Sequence, residues 1–298
     1  MKPSPFQLNW QGDHFCGRFS AMASPCELLI DTTDKQLAGQ LTALAFFEAR
    51  RIEQKYSRYL SDNICSKINH SHGKSVIIDD ETYRLLCFAD SCYQLSDGLF
   101  DITSGVLRKV WKFDGSDRLP HAEEVEALLP LIGWPQVQFD QNSVTLPTGF
   151  ELDFGGIGKE YAVDAVSKRC LELAPQVSVV VNFGGDIQVT RPRVNKQAWH
   201  IGIENPETEG DALRLIRITR GGLATSGDAR RYLCKDGIRY SHILNPKTGN
   251  PVTDAPRSVT VAAEHCIQAG ILATLALLNG KQAEEFLNQQ GVMFWLQA

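Results

Sequence analysis

Apolar residues recur at helical spacing early in the chain. Thr33 or Asp34 precedes residues 35–56 as a capping residue, and apolar residues recur at helical spacings within this range: Leu37, Leu41, Leu44, Phe47 and Ile52. This spacing places the apolar side chains on one face of a helix. The pattern therefore predicts an amphipathic helix that packs against a core.

Other segments show helical or strand periodicity, but the two types do not alternate regularly. Helical spacing also covers residues 80–95, 160–173 and 266–278. Strand patterns cover residues 177–181, 199–203, 213–218 and 258–261. The sequence therefore predicts an α+β fold in which mixed or antiparallel β-sheets are flanked by helices, with the strands clustered in the second half.

Length and composition favour one large domain. The chain has 298 residues, of which 43% are hydrophobic, and it contains no repeat, low-complexity tract or obvious linker. We interpret residues 1–298 as a single domain, or as two intimately packed subdomains. Because the sequence lacks a run of about 18 apolar residues, we expect no membrane span.

Charge and cysteine usage narrow the classes of function. A net charge of −5 provides no basic surface for phosphates, so we expect no nucleic-acid partner. The eight cysteines include no C-x-x-C pair, which disfavours a structural zinc site. The first residues contain no apolar signal segment, and no lipobox precedes Cys16. We expect a cytoplasmic protein with reduced thiols.

Three glycine-rich segments offer backbone that a nucleotide phosphate can approach closely, at residues 153–159, 182–186 and 224–228. Each also has a purely structural interpretation: a tight strand-to-helix turn, a hairpin corner and a solvated turn, respectively. The first segment lacks the third glycine of G-x-G-x-x-G and the spacing of a P-loop. The sequence therefore supports neither standard nucleotide-binding fold.

Together, however, these segments resemble one family. The matching motifs, in chain order, are DGLFDIT at 97–103, DFGGIGKEYAVD at 153–164, NFGGD at 182–186, TSGD at 225–228 and SHILNPKTG at 241–249. In this order they resemble the ApbE family of flavin transferases, from Met22 to about Gly280. The resemblance implies the T-fold-related α+β architecture of that family.

The resemblance also implies an activity. Members of the family bind FAD with a divalent cation, here expected to be Mg²⁺, and transfer the FMN half of FAD to a Thr or Ser hydroxyl of an acceptor protein. The product is a phosphodiester, and AMP is released. His242 matches the active-site histidine of the family, and an imidazole suits proton transfer near neutral pH.

Residues for the cofactor and the metal follow from the same match. The resemblance implies cation binding by the backbone carbonyl of Gly158 and by Thr274. The positions expected to contact FAD are Met22, Ala23, Ser24, Ser57, Asn69, Phe100, Asp101, Gly156, Lys159, Asp164, Gly184, Gly185, Asp186, Thr225, Ser226, Gly227 and His242.

One metal-binding position departs from the family pattern. Where the family has an aspartate one helical turn before the threonine ligand, this chain has Gly270. An aspartate there would share a helix face with Thr274. Glu160 stands where the family usually has glycine, and it is either a replacement carboxylate or a solvated residue at a helix start. Further carboxylate candidates are Asp153, Asp186 and Asp228.

Two functions therefore remain open. The first is an active FMN transferase that holds its cation through the FAD pyrophosphate, water and a remaining carboxylate. The second is a degenerate FAD-binding protein with weak or no transfer activity, because Gly270 replaces the metal-binding aspartate.

Overall fold

The helices flank a set of antiparallel strands. A computed structural model describes residues 5–204, 212–228 and 232–297. Its α-helices are α1 (Lys35–Tyr56), α2 (Ile64–Asn69), α3 (Asp80–Leu95), α4 (Ala122–Glu126), α5 (Gly158–Leu173), α6 (Cys266–Leu278) and α7 (Ala283–Gln290). Short 3₁₀-helices cover Ile102–Lys109, Leu129–Leu131, Trp134–Gln136, Phe154–Gly156, Val194–Lys196 and Gly280–Gln282.

The strands form one large sheet and three small ones. In chain order they are β1 (Gln7–Trp10), β2 (Phe15–Ala21), β3 (Ser24–Ile30), β4 (Ser75–Ile77), β5 (Gln138–Phe139), β6 (Ser143–Thr145), β7 (Val179–Phe183), β8 (Asp186–Val189), β9 (Trp199–Glu204), β10 (Ala212–Ile218), β11 (Gly221–Gly227), β12 (Tyr232–Lys235), β13 (Ile238–Ser241), β14 (Ser258–Ala263) and β15 (Met293–Gln297). The large sheet has the order β1-β2-β3-β7-β8-β11-β14-β15, and all its neighbouring strands pair antiparallel. The small sheets are β4-β6-β5, β9-β10 and β12-β13. The predicted α+β class is confirmed.

Helix α1 begins where the sequence pattern places it. The Asp34 carboxylate accepts hydrogen bonds from the backbone N–H groups of Gln36 and Leu37, at 2.8 and 3.1 Å, so Asp34 rather than Thr33 is the capping residue. The core-facing side of α1 buries Ala38, Leu41, Ala45 and Ile52, whereas Phe47, which was expected on this face, is 64% exposed. The predicted amphipathic helix is confirmed.

The expectation that the strands cluster in the second half of the chain is wrong, because β1 to β6 all lie in the first half. Strand β2 is buried on both faces at its start, so it lacks a simple alternation, and Pro25 interrupts β3. Packing explains the glycine at position 17 of β2. A Cβ on Gly17 would lie 2.3 Å from the Oγ1 of Thr42 on α1. The glycine that weakens the strand pattern lets α1 lie close to the sheet.

Helices α5 and α6 position the candidate site. Helix α5 packs on β7, β8 and α1, and α6 packs on β11 and β14 beside α5. A Cβ on Gly222 of β11 would lie 2.4 Å from the backbone nitrogen of Cys266, so the start of α6 lies directly against the sheet. The largest core cluster contains residues from Phe15 to Leu287. Within the described ranges, no helix is long and apolar enough to span a membrane.

Candidate active site

Two tight hairpin turns lie side by side at one edge of the site. Met22 and Ala23 join β2 to β3 with φ of 54° at each, and Gly184 and Gly185 join β7 to β8 with φ of 64° and 102°. Positive φ at both turn residues is the geometry that suits a two-residue hairpin. A Cβ on Gly184 would lie 2.9 Å from the Ser24 Oγ, so the turns are in close contact. The hairpin interpretation of residues 182–186 is confirmed.

An ion pair between half-buried Lys159 and buried Asp186 lies beneath these turns. The Nζ of Lys159 lies 2.7 Å from the Oδ2 of Asp186, and the Asp186 carboxylate also accepts a hydrogen bond from the backbone N–H of Thr225. Burial raises the pKa of Asp186 despite these partners. Burial opposes the charge on Lys159, but the nearby carboxylates of Asp186 and Glu160 outweigh it and raise the pKa of the lysine. Lys159 therefore carries a positive charge at the edge of the glycine turn.

Glu160 is not a solvated residue at a helix start, so that interpretation is wrong. Its Oε2 is buried and has no hydrogen-bond partner. Its side chain lies against Gly270 of α6: a Cβ at that glycine would be 2.7 Å from Cγ, 2.9 Å from Oε1 and 3.1 Å from Cδ of Glu160. Burial, followed by the charge of Asp186, raises the pKa of Glu160 to about 8.

Thr274 lies one turn beyond Gly270 on the same helix. Its Oγ1 is 3.0 Å from the Oγ of Ser226 on β11, so two predicted site residues are in direct contact. Gly158 is the first residue of α5, two positions before Glu160. The predicted metal residues thus belong to the two helices that bring Glu160 and Gly270 together.

Two predicted FAD contacts, Asp101 and Asp164, accept hydrogen bonds from backbone N–H groups. The Asp164 carboxylate accepts hydrogen bonds from the backbone N–H groups of Cys266 and Ile267, both at 3.0 Å, and so caps α6. The Asp101 carboxylate is buried and accepts from the backbone N–H of Thr103 at 2.8 Å. Its other oxygen accepts from a second backbone N–H, that of Trp134, at 3.0 Å. Both carboxylates position neighbouring elements, and their direct contact with FAD stays a prediction.

Asn69 and Ser57 also have structural partners. The Asn69 side chain accepts from the backbone N–H of Leu152 at 2.7 Å and donates to the carbonyl of the same residue at 3.0 Å. Ser57 ends α1, and its carbonyl accepts a hydrogen bond from Asn63 at 2.7 Å. Asn69 therefore fixes the segment that leads into the glycine turn at 153–159.

Phe100 and Gly156 meet at that turn. A Cβ on Gly156 would lie 3.1 Å from the ring of buried Phe100, so the glycine allows the ring to pack against the backbone. Gly227 has a similar packing role, because a Cβ there would lie 2.6 Å from the carbonyl oxygen of Arg257. Gly227 is therefore required by close approach of the backbone, and Gly156 leaves room for the Phe100 ring.

His242 follows β13 directly. Its ring packs edge-on against Phe113, with the ring centroids 6.3 Å apart and the planes at 76°. The flanking residues Tyr240 and Leu244 pack against a cluster that includes Trp111. The indole N–H of Trp111 donates to the carbonyl of Gly249 at 2.8 Å, which anchors the loop after the histidine.

A cleft of about 410 Å³ runs beside the same strand, and sequence reasoning missed its arginines. Asp228 lies 2.7 Å from Arg257 Nε and 3.8 Å from Arg239 Nη1, and Arg239 lies over the Tyr232 ring at 3.9 Å. Ser241, next to His242, also lines the cleft. The arginines are isolated in the sequence, outside the matching motifs, so no sequence signal indicated them.

Comparisons with known proteins agree with this fold. The model of the ApbE family matches residues 22–296. The FAD:protein FMN transferase of Vibrio cholerae is 29% identical over 238 residues, covering 78% of this chain and 71% of the relative. The enzyme of the same name from Klebsiella pneumoniae is 28% identical over 261 residues, covering 85% and 79%.

Solved structures extend the match to nearly the whole chain. The ApbE protein of Thermotoga maritima has a TM-score of 0.86 and 30% identity, covering 98% of this chain and 94% of its own. The apo flavinyl transferase ApbE of Pseudomonas stutzeri has a TM-score of 0.80 and 25% identity, covering 99% and 92%. Fold and site therefore define an enzyme of the flavin transferase class. The chain belongs to the ApbE family.

Proposed function

We propose that the chain is an FAD:protein FMN transferase that transfers the FMN half of FAD to a Thr or Ser hydroxyl of an acceptor protein. The observation that carries the proposal is the meeting, at the glycine turns, of the Lys159–Asp186 ion pair, the buried Glu160 carboxylate and the Ser226–Thr274 pair. Such a site combines a cationic group, oxygen ligands and close backbone approach, which phosphoryl-group transfer requires.

The reaction is a displacement at phosphorus. The acceptor hydroxyl oxygen forms a bond to the phosphorus of the FMN half, and the bond from that phosphorus to the oxygen bridging to AMP breaks. The bonding electron pair leaves with AMP, and the hydroxyl proton passes to a base, for which His242 is the candidate. Lys159 would compensate the negative charge on the pyrophosphate.

The residues present fit a magnesium ion. Besides burial, the charges of Asp186 and Asp164 raise the pKa of Glu160 and that of Lys159 lowers it, so three carboxyl groups lie near a single lysine and offer oxygen ligands. Among the described residues, no group of three or more His, Cys, Asp or Glu side chains is arranged to hold a metal. A cation would therefore also use the Thr274 hydroxyl, the Gly158 carbonyl and substrate oxygens. When bound, Mg²⁺ would neutralise charge on the pyrophosphate and on the departing AMP.

Transfer is tested by incubating the protein with FAD, Mg²⁺ and an acceptor protein of one of the curated relatives. We expect covalent flavin fluorescence of the acceptor on a denaturing gel and free AMP by chromatography, both abolished by EDTA. FAD should also bind more tightly than FMN in a fluorescence titration. FAD binding without AMP release or acceptor labelling would support the degenerate FAD-binding protein instead.

We also propose that the enzyme acts in the cytoplasm. All eight cysteines have free thiols, and six of them are buried. Free thiols are typical of a reducing compartment. Fractionation of cells that express the native gene tests the proposal, with recovery from the cytoplasmic fraction as the expected result.

A further inference from the structure

The space for a side chain at position 270 is already filled. A Cβ on Gly270 would lie 2.7 Å from Cγ of Glu160, closer than real Cβ atoms approach other atoms. The carboxyl group of an aspartate lies one bond beyond its Cβ. In the structure, Oε1 and Cδ of Glu160 lie 2.9 Å and 3.1 Å from the position of a Cβ on Gly270. The Glu160 carboxyl therefore occupies the region in which the carboxyl of an aspartate at 270 would lie.

The other candidate carboxylates already have partners. Asp153 lies 3.1 Å from both Arg58 and Arg108, and Asp228 lies 2.7 Å from Arg257. These are ion pairs with arginine, whose guanidinium keeps its charge at any pH of interest.

The carboxylates nearest Glu160 have partners as well. Asp186 pairs with Lys159 at 2.7 Å, and Asp164 caps α6 through two backbone N–H groups. Only Glu160, among these candidates, has a buried carboxylate oxygen without a hydrogen-bond partner, its Oε2. A buried polar atom of this kind is costly unless it is satisfied by a ligand.

We infer that Glu160 is the carboxylate ligand of the cation, in place of the aspartate that Gly270 replaces. The inference rests on the proposed function only for the presence of a divalent cation. The acidic ligand has moved from α6 to α5, while Thr274 remains on α6 one turn beyond Gly270. The two departures from the family pattern are then one exchange, because a glutamate at 160 needs a residue without a side chain at 270.

The exchange makes a prediction that neither residue makes alone. Aspartate at 270 beside Glu160 would bring two carboxylates into overlapping space, whereas glycine at both positions would leave no carboxylate. The two sites should therefore be strongly coupled in a double-mutant cycle, as is expected for residues in direct contact.

The test measures Mn²⁺ binding from the electron paramagnetic resonance signal of free Mn²⁺. The protein is titrated with Mn²⁺ alone and with saturating FAD, without acceptor protein. Glu160→Gln keeps the shape of the side chain and removes its charge. We expect Glu160→Gln to weaken Mn²⁺ affinity about 100-fold or more. Loss of a residue that only hydrogen-bonds a metal ligand typically costs about 10- to 100-fold, so loss of a direct ligand should reach or exceed that range.

The decisive variants exchange the two residues. Glu160→Gly should lose Mn²⁺ affinity as Glu160→Gln does, and Gly270→Asp alone should bring no gain over the parent. The double variant Glu160→Gly/Gly270→Asp should recover affinity to within about tenfold of the parent, because it restores the family arrangement. The exposed Glu284→Gln on α7 is the matched charge control and should bind Mn²⁺ as the parent does. FAD affinity in EDTA, unchanged in Glu160→Gln, shows that this variant is folded.

The outcomes separate this inference from the proposed function. Parental Mn²⁺ affinity in Glu160→Gln, or tighter binding in Gly270→Asp alone, would overturn the role of Glu160 even in a protein that transfers FMN. Failure of the parent to bind Mn²⁺ with or without FAD would also overturn it. Glu160-dependent Mn²⁺ binding in a protein that releases no AMP would uphold the inference and reject the transferase.

Discussion

Substitutions of Asp164 can distinguish a residue that positions the site from one that contacts FAD directly. The resemblance to the ApbE family places it among the FAD contacts, whereas in the structure its carboxylate accepts two hydrogen bonds from the start of α6. Helix α6 carries Gly270 and Thr274. Asp164→Ala therefore removes the cap of a helix that contributes to the site.

The expected loss of stability follows from these two bonds. Each partly buried N–H left without an acceptor costs about 1 to 3 kcal/mol. Burial raises the pKa of Asp164, so desolvation of the carboxylate already offsets part of this stabilisation. We expect Asp164→Ala to lower the free energy of unfolding by about 2 kcal/mol and Asp164→Asn, which retains one acceptor oxygen, by about 1 kcal/mol.

Urea denaturation measures the stability, and flavin fluorescence measures FAD affinity in the folded variants. A positioning role predicts that stability falls in the order parent, Asn, Ala, while FAD affinity at low temperature changes less than about threefold. The reasoning would be refuted if both variants keep parental stability and lose FAD affinity more than about tenfold, because Asp164 would then contact FAD directly.

Three further predictions follow from other residues. His242→Ala should slow FMN transfer by about 10² to 10⁴-fold in single-turnover assays while FAD affinity changes far less; full activity would exclude the histidine as the base. Arg51 and Lys55 lower the pKa of Glu81 from 4.5 to about 2, so its stabilisation is present above pH 4.5 and lost as the pH falls toward 2. In acid titrations Glu81→Gln should remove about 3 kcal/mol of this pH dependence, and an unchanged acid limb would contradict it. Ala23 has φ of 54°, which favours glycine, so Ala23→Gly should raise the free energy of unfolding by about 0.5 kcal/mol and the thermal midpoint slightly. A lower midpoint would argue against strain at this residue.

The sequence predicted the elements whose signals are local. Helices α1, α5 and α6 begin and end within two residues of their expected ranges. Their signals, apolar spacing and capping side chains, depend only on residues within a few helical turns of one another. Strand β3, in contrast, pairs with β7, far away in the chain, and its pattern is broken by Pro25. The pairing of β3 with β7, and the place of Pro25 in that strand, are evident only from the assembled sheet.

The site shows the same division. Motif matching located Lys159, Asp186 and Thr274, but it could not tell that Glu160 fills the space beside Gly270. That contact joins two helices distant in the sequence, and no periodicity reports it. The capping roles of Asp101 and Asp164 could not be predicted either. An aspartate can accept a hydrogen bond from the backbone or contact a ligand, and the sequence alone does not distinguish the two.

The ratio of covalent flavin to released AMP is the most direct test of FMN transfer. The protein, FAD, Mg²⁺ and excess acceptor are mixed for a single turnover; intact-mass spectrometry then counts FMN groups on the acceptor, and chromatography counts AMP and free FMN. A transferase predicts one covalent FMN for each AMP, with the label on a Thr or Ser of the acceptor and little free FMN. AMP with an equal amount of free FMN and an unlabelled acceptor would contradict transfer and indicate hydrolysis of FAD instead.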